Sequence, residues 1–164
     1  MYNVHTERRN GVISMRASPT VLCNNILLRG VNDRVKITPM KLQKLMYFVC
    51  RDYTKRFQIS PISEQFEVWQ YGPVLPSVYS EFKAFGANPI TEFARDALGS
   101  AFMVSEKDNP ELADVIDAVW EKYRSKTGIE LSKVTHQPQS GWYRAYSQHR
   151  QYITEEDMKV DSAG

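Results

Sequence analysis

Apolar residues along this chain recur mostly at helical spacing. From Pro39 to about Phe57 they fall at Leu42, Leu45, Met46, Val49, Cys50 and Tyr53, that is i, i+3, i+4, i+7, i+8 and i+11. That is one stripe of a helix with a 3.6-residue period. Thr38-Pro39 supplies the start: a capping hydroxyl, then a proline at the first helical position, where its missing N–H is harmless. Ser18-Pro19 gives the same signal for a helix that turns Leu22, Cys23, Ile26 and Leu27 inward and stops near Gly30, leaving 31–37 as a polar connector. Asn109-Pro110 is a third start. Leu112, Val115, Ile116, Val119, Trp120 and Tyr123 then form the cleanest stripe in the chain, ending before Gly128. A short helix is expected from about Ile129 to Val134, a helical piece at Trp142, Tyr143, Ala145 and Tyr146, and a stub capped by Thr154 with three acids in its first turn.

The pattern changes after Pro61. Residues 66–71, Phe-Glu-Val-Trp-Gln-Tyr, suit a short strand. The stretch Gln70-Tyr71-Gly72-Pro73-Val74-Leu75-Pro76 reads as a strand-to-helix corner, with Gly72-Pro73 as the turn and Pro76 opening a helix that carries Val78, Tyr79, Phe82 and Phe85 to Gly86. It is no phosphate cradle, because proline removes backbone N–H groups that such a loop needs. It is no nucleophile elbow, because Gly-x-Ser-x-Gly is absent. Further short strands are expected near Ile90 and over 101–104. Tyr152-Ile153 reads as extended. Asn10-Gly11 is compatible with a hairpin turn or with a loose arm over residues 1–17. The predicted fold class is mainly α: a compact single helical domain with a small β element.

Composition narrows the function. With 21 basic against 19 acidic residues the net charge is +2, too even for a dedicated nucleic-acid binder. Hydrophobic content of 42% indicates a globular chain. No apolar run approaches the ~20 residues of a membrane helix, and no secretory leader is visible. Cys23 and Cys50 lie within apolar helical patterns and read as reduced thiols of a cytoplasmic protein.

Candidate chemistry is sparse. His5, His136 and His149 lack the paired spacing of a zinc site, so no metal and no cofactor is expected. Cys50 with His136 is the one conceivable nucleophile pair, but Cys50 falls on an apolar helix side, where thiols are usually inert. The carboxylates are scattered. Beside the apolar stripe of helix 39–57 runs a basic edge, Lys41, Lys44, Arg51 and Lys55, with Phe48 in its middle. It reads either as a solvated face or as a binding face for acidic protein or phosphates. Helices 19–30 and 39–57 loosely resemble a helix-turn-helix, but the connector is long and the second helix begins with few base-reading side chains.

Three blocks carry a more specific resemblance. Ile37-Thr38-Pro39-Met40-Lys41-Leu42-Gln43-Lys44-Leu45-Met46-Tyr47-Phe48 is similar to the "TPxKLQKLxYF" block of the Panacea antitoxin domain, the family of SocA-like and GepA-like phage-associated proteins. Tyr71-Gly72-Pro73-Val74-Leu75-Pro76-Ser77-Val78-Tyr79 resembles its second block, "YGPVxPxxY". Leu131, Thr135-His136 and Trp142 resemble a third, although Gly141 stands where the family tends to have proline. The similarity covers roughly 18–158, leaving 1–17 as an arm or hairpin and 159–164 as a flexible tail.

The resemblance implies an antitoxin, not an enzyme, that neutralises a cognate toxin by direct binding. The SocA-like branch also implies an adaptor role, handing the toxin to a bacterial AAA+ protease. The alternatives are a DNA-binding regulator of a mobile element, or a cysteine-dependent enzyme. Within the blocks, Thr38, Pro39, Leu42, Leu45, Gly72, Pro73, Pro76, Tyr79 and Trp142 are expected to be structural. Lys41, Lys44, Tyr47, Phe48, Arg51, Tyr71 and His136 are the candidate partner-binding residues, with Tyr47, Phe48 and Tyr71 as anchors.

Overall fold

The structure, a computed structural model, describes residues 5–9 and 12–164, with side chains from Arg16 onward. Two strands, β1 (His5–Arg9) and β2 (Val12–Arg16), pair antiparallel from His5↔Arg16 to Arg9↔Val12. The expected Asn10-Gly11 turn between them, and the side chain of His5, lie outside the described residues. Helices follow: α1 (Pro19–Asp33), α2 (Pro39–Phe57), α3 (Pro76–Phe82), α4 (Pro110–Tyr123), α5 (Gly128–Thr135), α6 (Gly141–Ser147) and α7 (Glu155–Val160). A second hairpin, β3 (Glu67–Trp69) and β4 (Gly72–Val74), sits between α2 and α3. The fold is mainly α. Among the described residues no helix is long and apolar enough to cross a membrane.

α2 is the axle. Thr38 caps it by accepting from the Lys41 N–H, and Pro39 occupies its first position. α1, α3, α4, α5, α7 and β4 all pack against it. Every residue from Lys41 to Arg51 is therefore buried, the polar ones included. Leu42, Leu45 and Met46 sit in the core, Phe48 stacks on Tyr123 at 4.4 Å, and Tyr47 meets Phe66 edge-on at 5.3 Å.

Four expectations are corrected. α1 runs past Gly30 to Asp33 and ends at Arg34, which takes the left-handed conformation (φ 58°). Gly30 is instead a site of close approach: a Cβ there would stand 2.7 Å from Ile37 Cδ1. The expected strands near Ile90 and over 101–104 do not form. Their backbone partners are not a neighbouring strand. Ile90 N–H donates to Ile37 O, and two buried asparagines of α1 reach Ala94, Phe102 and Val104. Asn24 bonds both the N–H and C=O of Ala94 and the carbonyl of Phe102, while Asn25 bonds both backbone groups of Val104. A side-chain amide carries one acceptor and two donors, so it replaces a strand edge without a strand.

The Gly72-Pro73 turn is likewise displaced by two residues. Gln70-Tyr71 turns the chain, and Gly72-Pro73-Val74 is the returning strand, paired Trp69↔Gly72 and Glu67↔Val74. Proline is tolerated there because β4 is a sheet edge. Finally, residues 159–164 are no flexible tail. Asp161 and Ala163 are buried, since the Asp161 carboxylate accepts from Tyr47 Oη at 2.7 Å and from the Gly141 N–H at 2.8 Å. The same two contacts account for Gly141. A Cβ there would lie 2.6 Å from Tyr47 Oη, and a proline would have no N–H for Asp161.

Candidate functional site

Most of the basic edge of α2 is not a surface: Lys55 is exposed, but Lys41, Lys44 and Arg51 are buried. Lys41 is buried with its ammonium on the Arg124 carbonyl, and burial pulls its pKa down despite the Glu130 charge. Arg51 is buried with its guanidinium over the Phe48 ring at 4.8 Å. It donates to Asp52 at 2.7 Å and to Ala163 O at 2.6 Å, and it pairs with Asp161 at 3.4 Å. Burial opposes its charge, but the Asp52 hydrogen bond and the Asp52 and Asp161 charges outweigh it and hold the guanidinium above its ordinary range. Tyr47 and Phe48 are fully buried. Neither an acidic partner nor phosphates can reach these groups, so the anchor role expected of Tyr47 and Phe48 has no surface to act from. The DNA-binding reading loses its footing for the same reason. Cys50 is also fully buried, and burial pushes its thiol well above the usual range. No exposed thiolate is available for the Cys50–His136 pair.

The second block behaves differently. The β3–β4 turn is held by three consecutive carbonyls, each caught by a side chain of the third block. Trp142 Nε1 donates to Trp69 O at 3.0 Å. His136 Nε2 stands 2.9 Å from Gln70 O, and Ser132 Oγ donates to Tyr71 O at 2.7 Å. The other His136 nitrogen faces Ser132 O at 2.6 Å; a neutral ring donates to one of these carbonyls, a protonated ring to both. The His136 ring also packs on Trp142 at 4.0 Å, and Trp142 stacks on Tyr146 at 4.8 Å.

The first block holds the hairpin from below. Gln43 closes on the backbone of Leu75 with both amide atoms, and Lys44 Nζ donates to Pro73 O at 3.1 Å. The first and third sequence blocks therefore converge on one hairpin segment, residues 69–75, that includes most of the second. Trp142, Leu42 and Leu45 are buried, and Pro76 opens α3. Ser132 is a clamp that no local signal announces, and Gln43, though inside the first block, is a clamp that the helical spacing does not single out.

What this scaffold presents is aromatic. Tyr71 is 62% exposed at the turn, and Tyr79 is 44% exposed, packed on Trp69 at 4.9 Å. Tyr79 is thus a surface residue and not the core residue the helical spacing predicts; Val78 and Phe82 take the inward positions of α3. Tyr146 is also exposed, reached through Trp142. Between α2, the hairpin and α3 opens a cleft of about 430 Å³ lined by Met40, Lys44, Trp69, Tyr71, Val78 and Tyr79 among others.

Among the described residues Lys44, like Lys41, is held by a backbone carbonyl and no ion pair, but unlike Lys41 it has no carboxylate charge such as Glu130 acting on it. It is 2% exposed, and burial pushes its ammonium down to about 7. Among the described residues no carboxylate pairs with it, and the Pro73 carbonyl is its one hydrogen-bond acceptor. Gly72 packs against both Lys44 and Thr135. The backbone there is left-handed (φ 110°), and a Cβ would lie 2.9 Å from Lys44 Cε and 2.6 Å from Thr135 Oγ1.

A family model described as antitoxin SocA-like, Panacea domain, matches residues 42–143, more than half of the 164-residue chain and all three blocks except the start of the first. No curated protein and no solved structure matches the chain.

Proposed function

The chain belongs to the SocA-like Panacea antitoxin domain family, and from that membership we propose that it neutralises a cognate toxin by direct binding, with the Tyr71–Tyr79 corner as the docking surface. One observation carries the reading. Exposed Tyr71 stands on a turn whose backbone is clamped by three side chains from elsewhere in the fold, and exposed Tyr79, on the adjoining α3, packs on Trp69 of the same hairpin. Fixing the turn in advance lowers the entropy lost on association. Tyrosine supplies a large, amphipathic contact with few rotors to freeze, and aromatics dominate interface hot spots. Nothing in the packing of the monomer requires Tyr71 to be aromatic, since its ring faces solvent. The chain acts in this reading as a binding protein and not as a catalyst.

The test is co-expression with the toxin encoded beside it, scored by growth and by co-purification. Tyr71→Ala and Tyr79→Ala should each weaken binding by ~2 kcal/mol, about thirtyfold. The double variant should lose rescue while circular dichroism matches the parent. Full rescue by a folded double variant sinks the docking surface.

A further inference from the structure

We propose that the cleft beneath Tyr71 and Tyr79 seats the carboxylate of an acidic side chain, flanked by apolar residues, from the docked partner, with Lys44 as its counter-ion. The inference rests on the docking surface above and adds the chemistry of what enters it.

The first support is charge. An ammonium has three donors, and Lys44 uses one of them. Arg29, Arg51 and Arg150 each meet carboxylates of this chain: Glu106 and Asp117, Asp52 and Asp161, and Asp157. Lys44 meets none among the described residues. A buried cation without an anion is costly, and a methionine of similar length would fill the space without that cost. Yet the site keeps the ammonium, its Nζ donating to the Pro73 carbonyl at 3.1 Å beside the open cleft. Burial has already pushed it to about 7, so an arriving carboxylate would restore its charge.

The second support is shape. At about 430 Å³ the cleft falls in the size range of ligand sites. Its walls are Met40, Trp69, Val74, Val78, Tyr79 and Phe82, which suit apolar neighbours of the acid. Gln43 also lines it but is closed on Leu75, so it offers little competition to Lys44 as the polar contact. A single lysine balances a single carboxylate, whereas a phosphate would bring more charge than this site neutralises. The cleft is continuous with exposed Tyr71 and Tyr79, so a segment of a larger protein can lie across the rim while one side chain descends.

A displayed library of random heptapeptides, selected against the intact protein and against Lys44→Met and Lys44→Gln, tests this directly. Wild-type pools should enrich Asp or Glu about tenfold at one position beside apolar residues, and both variants should lose that enrichment. A synthetic winner should bind at least tenfold more weakly when its acid is replaced by the amide. Pools without acids, or acid enrichment that survives in a folded variant, overturn the proposal. So does phenylacetate binding at Tyr71 and Tyr79 amide resonances while no acidic peptide is selected, which would assign the cleft to free small acids. In the co-expression assay, rescue lost by the Tyr71/Tyr79 double variant but kept by Lys44→Met would leave the docking surface standing and remove only the carboxylate seat.

Discussion

Lys44 and Arg51 stand two turns apart on one side of α2, both cationic, both buried to within a few per cent, and the fold treats them in opposite ways. Arg51 is given Asp52, Asp161, the Ala163 carbonyl and the Phe48 ring. Lys44 is given one carbonyl and a cleft. A buried charge whose partners lie within the chain holds the chain together. A buried charge without them weakens the chain and makes sense where something else completes it. The C-terminal end of α2 is therefore structural, and the end near Lys44 is where a partner is expected.

Breaking the satisfied end should cost most. Arg51→Met leaves Asp161 buried without its cation, and Asp161→Ala removes the acceptor of Tyr47 Oη and the Gly141 N–H and one of the two carboxylates on Arg51; each should cost about 3–5 kcal/mol in urea unfolding. A loss under ~1 kcal/mol would show that this network is incidental. Asn25→Ala sharpens the comparison with a neutral group. It removes both bonds to Val104 and should cost ~2 kcal/mol, by the same measurement.

Lys44→Met should leave stability at pH 7 within ~1 kcal/mol of the parent or above it. Its pH profile has a definite sign. The folded-state value of about 7 lies below the ordinary 10.5, so between the two the unfolded chain holds a proton that the folded chain has lost. Stability of the parent relative to Lys44→Met should therefore rise with pH through that window, by at most ~1.4 kcal/mol per unit. A flat difference between pH 7 and pH 10 would mean that the ammonium is not desolvated. Smallest of all on stability is Tyr71→Ala, within ~0.5 kcal/mol, because the ring is exposed.

The helices were legible because period and start signals agree: Thr38-Pro39, Asn109-Pro110 and the stripes behind them appear as α2 and α4. The same period hid which polar residues are buried. Lys41, Lys44 and Arg51 at helical spacing look alike whether a neighbour covers them or water does. Their partners are remote in sequence: Pro73 is 29 positions from Lys44, and Asp161 is 110 from Arg51. Tyr79 shows the converse error, an aromatic at core spacing whose inward place belongs to Val78. The strands expected near 90 and 101–104 failed because the backbone there found other partners than a neighbouring strand: the Ile37 carbonyl for Ile90, and Asn24 and Asn25 for Phe102 and Val104. The three-block resemblance pointed to the right segments but not to their convergence, since only the folded chain brings Ser132, His136 and Trp142 to the carbonyls of residues 69–71.

Hydrogen exchange of the chain alone and with a toxin that co-purifies with it compares the two ends of α2 in one experiment. Added protection should fall on Trp69–Tyr79 and on α6, with no change over Asp161–Gly164 or the end of α2. Protection confined to the C-terminal segment, with the Tyr71 turn exchanging as before, would contradict the account.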